Sequence, residues 1–379
     1  MRQGESDKTV FNRQGPLQLS ILIPSNRRGL LVCSRIAQAC SWAGPNIEVI
    51  IRDNSGDPEK RALLAHFHRD NCHIDSVDPC LPIDNVSDVM RRAQGDYIFL
   101  LADDDFCFDQ AIATIPALID KIGDDRAVAG ITGAYAIELA QGSAVVDYKQ
   151  IDSDDPLMRI GGFLQYNGPN IMHYAPVRRA ICQRVFEFMR SMPATLSFHD
   201  QIVCMLYLLN GKFVPLQRFL YLYEMGPWQH SGSAHARDLA FYKDAGLDPA
   251  INVLHWFLCG FEGALLARNS DLFPNLPLGV RQPVADRWFS TMFQRFQHPR
   301  SVYDSPFKAE AEALYAKLLT STGQLSFAGM LAEICGLMAL CSTDFAQKYF
   351  NFWLAIVNQR PAALLAAAAP PAAQARAIG

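Results

Sequence analysis

The stretch from Ile98 to Phe106 constrains this chain more than any other: the apolar run Ile-Phe-Leu-Leu-Ala ends in three consecutive carboxylates, Asp103, Asp104 and Asp105. Adjacent negative charges repel one another, and placing them at the end of a buried strand is costly unless a counter-charge is supplied. A divalent cation held against a phosphate-bearing ligand is one such supply. The competing account is an acidic turn before Phe106, with no ligand involved.

With 379 residues, 50% of them apolar, the chain can build one large α/β domain and a smaller one. A net charge of -4 and a pI near 6.1 give no footprint for non-specific nucleic-acid binding, so no nucleic-acid partner is expected. The 10 cysteines contain no CxxC pair and the amino terminus is polar, which predicts free thiols and a cytoplasmic location. The apolar stretches Leu325 to Cys341 and Ile251 to Ala267 are interrupted by Glu333 and by His255 with Glu262. Both are expected to fall short of the roughly 20 residues a membrane span needs. Peripheral contact at the inner face of the cell membrane and homo-oligomerisation stay open.

The amino-terminal half alternates. Leu19 to Ile23 reads as a buried strand stopped by Pro24, Leu30 to Trp42 has helical periodicity, and Ile47 to Ile51 is a second strand closed by Asp53-Asn-Ser-Gly56. Helices across Pro58 to Arg69 and Val86 to Ala93, then a strand from Tyr97 to Leu101, continue the pattern. Strands alternating with helices imply a parallel sheet covered on both faces, whose ligands bind at the carboxyl ends of the strands. His66, His68, Cys72 and His73 are close enough in sequence to ligate zinc, but no second half with matching spacing follows, and the segment reads as a solvated helix end.

Three strand ends therefore converge: Pro24-Ser-Asn-Arg27, Asp53-Asn-Ser-Gly56 and Asp103-Asp-Asp105. Each alone is ordinary turn chemistry. In order and spacing, together with Asn85 through Asp88 to Ala93 and Gly95-Asp-Tyr-Ile-Phe-Leu100, they resemble the GT-A fold nucleotide-sugar glycosyltransferases, specifically the inverting bacterial family 2 type. The resemblance covers roughly residues 18 to 230. It implies a Rossmann-like mixed sheet flanked by helices, a nucleotide-sugar donor (a UDP-sugar), and a saccharide or lipid-linked glycan acceptor in surface polysaccharide synthesis.

By that resemblance, Pro24, Ser25, Asn26 and Arg27 line the nucleotide pocket, and Asp53 with Asn54 faces the base, where a carboxylate suits the uracil N–H. Asp88 is placed near the nucleotide or its ribose; otherwise it is a solvated helix residue. Asp103 and Asp104 belong to the ribose and sugar side. Asp105, with Asp103, is assigned to a Mn²⁺ or Mg²⁺ ion that neutralises the leaving diphosphate. His230, in the segment after the next strand, is a further metal candidate, and Trp228 a sugar-stacking platform. Asn170 and His173 are acceptor or sugar pocket candidates in the Gly161 to Arg179 segment, read as loop.

The second signature of the resembling family is an acceptor-side carboxylate near a helix start. Thr195-Leu-Ser-Phe-His-Asp200 leads into an apolar helix that stops at Asn210-Gly211. Asp200 is the expected general base, taking the proton from an acceptor hydroxyl. Where the family more often has Glu-Asp, this chain has His199-Asp200, and His199 is a candidate to share the proton transfer. A purely local account also exists, since Ser197 and Asp200 have capping-box spacing.

Beyond residue 235 the pattern becomes helical: Asp248-Pro249 is a helix start, and helical stripes cover Ile251 to Arg268, Arg281 to Phe296, Ala309 to Leu319, Phe327 to Leu340 and Asp344 to Asn358. The expected layout is a flexible tail over 1–17, a GT-A domain over 18–235, a helical domain over 236–360 and a disordered Ala/Pro-rich tail over 361–379. Two other functions fit the same residues: a nucleotidyltransferase, against which stands the lack of a Gly-rich basic phosphate loop, and a noncatalytic nucleotide-sugar or glycan-binding module.

Overall fold

Strands β1 (Leu19–Ser25) and β2 (Ile47–Asp53) carry apolar residues on both faces because both faces are covered, and all but one residue of each is buried. The computed structural model describes residues 17–67, 69–139, 142–165, 171–224, 231–273, 276–298 and 304–358. β1 pairs in parallel with β2 on one side and with β4 (Tyr97–Leu100) on the other, so that Ile21 lies opposite Val49 and Phe99. Helices α1 (Leu30–Ser41), α2 (Pro58–Leu64) and α3 (Pro82–Arg92) make the crossovers.

A strand the sequence reading passes over, β3 (Cys72–Ser76), pairs with the outer side of β2. Its sequence, Cys-His-Ile-Asp-Ser, is half polar and only Cys72 is fully buried, which is why no apolar run betrays it.

Past β4 the sheet becomes mixed, as the family resemblance implies. The short β8 (Val177–Arg178) runs antiparallel to both β4 and β6 (Val128–Leu139). Then β9 (Lys212–Glu224) lies parallel to β6, β5 (Phe106–Cys107) is antiparallel to β9, and β7 (Gly142–Val146) folds back on β6. Strand order is β3-β2-β1-β4-β8-β6-β9-β5 among the described residues. One consequence matters for the site: the acids leave β4 and enter β5, which is paired with Tyr221 and Leu222, so both ends of the acidic segment are tied to the sheet.

The entry to β4 is fixed by Gly95. A Cβ there would lie 2.7 Å from the backbone of Leu19 and Ser20. The bare backbone instead comes close enough for the Gly95 N–H to donate to Ser20 Oγ at 2.8 Å.

Helices α4 (Asp109–Ile122), α5 (Pro156–Leu164), α6 (Arg179–Ser191) and α7 (His199–Asn210) complete this half. Gly161 and Gly162, expected in a loop under the substrate, lie inside α5. A Cβ on Gly162 would meet Lys149 O at 1.9 Å, so that glycine serves helix packing.

The carboxyl-terminal region contains α8 (Ser231–Asp244), a 3₁₀ turn (Pro249–Leu254), α9 (His255–Asn269), α10 (Leu278–Phe296), α11 (Lys308–Ser321), α12 (Phe327–Cys341) and α13 (Thr343–Asn358). The expected start at Asp248 is present: its side chain accepts from Ala250 N at 2.8 Å. The expectation about membrane length needs correction, because Pro249–Asn269 forms 21 helical residues apolar enough to span a bilayer, with 94% of its apolar window buried inside the protein. Its polar members His255 and Glu262 are buried too. α9 packs against α7 and α10, α10 packs against α5, and a continuous apolar cluster runs from Leu19 to Ile356.

Candidate active site

Asp53 ends β2 and Ser25 ends β1, directly opposite each other in the sheet. Between them comes Lys60, a residue the sequence reading did not single out. Asp57 caps α2 by accepting from Glu59 N and Lys60 N, and Pro58 starts the helix, which aims Lys60 and Leu64 inward. Lys60, 2% exposed, places Nζ 2.8 Å from Asp53 Oδ1 and donates to Ser25 Oγ at 2.6 Å and Arg27 O at 2.7 Å. An ammonium has three donors, and all three are used. The sequence signal for Lys60 is its place four residues before Leu64, on the apolar face of a helix following an acidic strand end.

Asp53 is 2% exposed, and Oδ1 carries both the Lys60 contact and a hydrogen bond from Ser55 N at 3.2 Å. Asn54 is also committed to the protein. It donates to Cys80 O at 3.0 Å and accepts from Asn85 Nδ2 at 3.1 Å, which clips the β2 exit to the start of α3. Asp88 faces the same edge, where it pairs with Arg52 at 2.8 Å and with Arg91. Pro24 is half-buried and Asn26 exposed on the loop above β1.

The acids alternate. Asp103 and Asp105 point inward, each 5% exposed, whereas Asp104 is more open. Asp103 accepts from Ser25 Oγ and from Arg27 N at 3.4 Å on Oδ2, and from the Arg27 guanidinium at 3.2 Å on Oδ1. The same guanidinium pairs with Asp104. Asp105 accepts a hydrogen bond from the Tyr221 hydroxyl. Tyr221 is a second residue missed from sequence. Nothing in the alternation of β9 marks its hydroxyl, whose proximity to Asp105 follows only from the β5–β9 register.

The chain thus supplies part of the neutralisation expected from a cation. Among these contacts Asp53, Asp103, Asp104 and Asp105 bring four carboxylates, against the two positive charges of Arg27 and Lys60. Among the described residues no group of three or more His, Cys, Asp or Glu comes together as a metal site. Asp103 and Asp105 are the carboxylates that could hold a Mg²⁺ or Mn²⁺ ion whose shell is completed by phosphate oxygens and water.

Asp200 lies on the other side of the same space. Every residue of α7 from His199 to Leu209 is buried except Asp200. The capping-box account is not realised: the N-cap is Phe198, with no side-chain cap, and Ser197 Oγ lies 3.5 Å from His255 Nδ1. Asp200 is linked to the acids through two phenols, the half-buried Tyr174 and the buried Tyr221. Tyr174 stacks on Tyr221 with centroids 5.3 Å apart and planes 8° from parallel. Burial, then Asp200, then Asp105 push the Tyr174 phenol well above its ordinary range, and burial followed by Asp105 does the same to Tyr221. Both remain protonated, and Tyr174 feels carboxylates from both sides.

His199 is not brought to this space. It is 3% exposed, its Nδ1 accepts from Leu196 N at 2.9 Å, and its Nε2 lies 2.9 Å from Glu262 Oε2. The expected share in proton transfer therefore gives way to an anchoring contact inside the protein. His173 sits in a 3₁₀ turn (Ile171–Tyr174), its ring edge-on to Tyr174 and Phe186 and its Nδ1 buried without a hydrogen-bond partner. Burial lowers its pKa, against a smaller opposing pull from Asp200. Asn170, Trp228 and His230 lie outside the described residues.

Residues 20–186 match the family model described as Glycosyl transferase family 2. No curated protein matches the chain by sequence. Among solved structures, TarS of S. aureus aligns with TM-score 0.50 and 12% identity over 88% of this chain, which spans 55% of the TarS chain. TarS 1-349 in complex with UDP-GlcNAc aligns with TM-score 0.49 and 12% identity over 90% of each chain. A mannosyltransferase from Pyrobaculum calidifontis, in complex with GDP-Man and Mn²⁺, gives TM-score 0.42 and 11% identity over 91% of this chain and 86% of its own. The matched segment contains β1, β2 and the acids, and it is similar to the family 2 glycosyltransferases over that span, while the chain as a whole has the GT-A fold.

Proposed function

We propose that this protein transfers a sugar from a nucleoside diphosphate sugar to a hydroxyl of a saccharide or lipid-linked glycan, with inversion. One set of contacts carries the reading: Asp105 accepts from the Tyr221 hydroxyl, Tyr221 stacks on Tyr174, and Tyr174 feels the charge of both Asp105 and Asp200. An acid that can hold a cation and an acid exposed at a helix start are the two groups such a transfer needs.

In this reading the donor diphosphate lies beyond β1 and β4, where Arg27 offers a guanidinium beside Asp103 and Asp104. Asp105 and Asp103 would hold a Mg²⁺ or Mn²⁺ ion, which would supply Lewis-acid neutralisation of the leaving diphosphate. Asp200 accepts the proton of the acceptor hydroxyl. The acceptor oxygen bonds to the anomeric carbon as the bond to the diphosphate breaks, its electron pair leaving with the phosphate. Attack from the side opposite the leaving group inverts the configuration. Tyr221 keeps Asp105 aimed, and Lys60 locks Ser25 and Arg27 in place.

A lipid-linked acceptor, and with it surface polysaccharide synthesis, is supported by the rim of the site. Leu30, Leu31 and Leu81 are 79%, 53% and 57% exposed at the starts of α1 and α3, beside the loop carrying Arg27 and Arg28. The decisive experiment is a panel of nucleotide sugars assayed with and without Mn²⁺ for release of nucleoside diphosphate. UDP-sugars are the expected donors. Nucleotide binding without turnover of any donor, across a set of saccharide acceptors, would instead support a binding module.

A further inference from the structure

We propose that the carboxyl-terminal helices orient the general base, through a buried chain of hydrogen bonds that joins His199 on α7 to Glu262 on α9 and Tyr349 on α13; the proposal rests on the reading of Asp200 as that base. The protonation pattern follows from the partners. Because His199 Nδ1 accepts the Leu196 N–H, a neutral ring carries its proton on Nε2, 2.9 Å from Glu262 Oε2. The other Glu262 oxygen accepts from the Tyr349 hydroxyl. Burial, reinforced by Glu262, pushes the Tyr349 phenol well above its ordinary range, so it stays a donor.

His199, Glu262 and Tyr349 are 3%, 0% and 2% exposed. A carboxylate in such a place costs stability that a leucine would not, and its two uncharged donors offset only part of that cost. What the arrangement adds is direction. Successive helical residues point about 100° apart, so a pinned His199 side chain fixes where Asp200 aims. Phe198, the N-cap residue, makes no side-chain cap that would do the same. The segment before it is held from the same region: Phe198 packs edge-on against His255 with centroids 5.4 Å apart.

The test is a mutant cycle in the full chain. Glu262→Gln is expected to lower kcat about tenfold or more, with donor KM and nucleoside diphosphate affinity changed by less than about twofold. Tyr349→Phe is expected to have a smaller effect in the same direction. Combined with Asp200→Asn, either change is expected to cost little further turnover, because the network acts through a base already removed. An equal loss in both backgrounds, or wild-type kcat in folded Glu262→Gln and Tyr349→Phe proteins, overturns the proposal. If Glu262→Gln does not fold, Tyr349→Phe carries the cycle; failure of both to fold marks the network as a folding element and also overturns it. Normal turnover of Asp200→Asn alone identifies the separate failure of the base assignment.

Discussion

The two sides of the site are held by opposite means. On the acid side, charges sit at strand ends and are secured by close neighbours on the strands, the β1 loop and α2: Asp103 by Ser25 and Arg27, Asp53 by Lys60, Asp105 by Tyr221. On the side of the proposed base, Asp200 stands exposed, and its neighbour His199 is tied from outside the sheet to α9 and α13. A carboxylate meant to bind a cation gains from a rigid, partly neutralised cradle. One meant to collect a proton needs exposure and aim. The difference shows that charge placement and charge orientation are separate problems, solved here by separate parts of the fold.

The largest break in this picture is expected from Asp105→Ala, which removes a carboxylate proposed to hold the cation. Cation-dependent turnover should fall on the order of a thousandfold or more, and nucleoside diphosphate binding should lose its response to Mn²⁺ in calorimetry. A Mn²⁺ response that survives would end the distinction between the two sides. Lys60→Met should leave Asp53 as an unpaired buried charge and destabilise the protein by about 3–5 kcal/mol in urea unfolding, with Lys60→Met/Asp53→Asn recovering part of the loss. No loss in the single variant would mean that the cradle is not held as described.

Asp200→Asn should lower kcat about a hundredfold or more while donor affinity stays nearly unchanged, a split visible in steady-state and binding data. Tyr221→Phe sharpens the comparison: it should weaken Mn²⁺ affinity about tenfold and leave the loss caused by Asp200→Asn unchanged in size. The smallest effect is in stability against pH. His173 titrates below its ordinary value of 6.5 in the folded chain, so the unfolded chain takes up this proton first as pH falls. Stability should decline from about pH 6.5 down to the folded value, by at most about 1.4 kcal/mol per pH unit, and His173→Gln should flatten that slope in thermal melts.

What could be read in advance tracks how local the physics is. β1, β2 and β4 are continuous apolar runs, and the helices from α9 onward carry unbroken stripes, so their existence follows from periodicity. β3 does not, because an edge strand need not be apolar. The acids are visible for the same reason the strands are: three aspartates against a buried run have no bland packing role. Lys60, Tyr221, Glu262 and Tyr349 are ordinary residues in sequence, and their partners lie 35, 116, 63 and 87 positions away. Only a fold can bring such pairs together. His199 shows the converse: adjacency to Asp200 suggested a shared task, yet neighbours on a helix point to different places.

The tie between Glu262 and Tyr349 also sets an order of events during synthesis. The parallel unit of β1, β2 and β4 is complete in sequence by Leu100 and can form while the ribosome is still translating. Tyr349 emerges 87 positions after Glu262. A nascent chain is therefore expected to acquire its nucleotide cradle well before its catalytic aim, an intermediate that can load a donor but not yet discharge it.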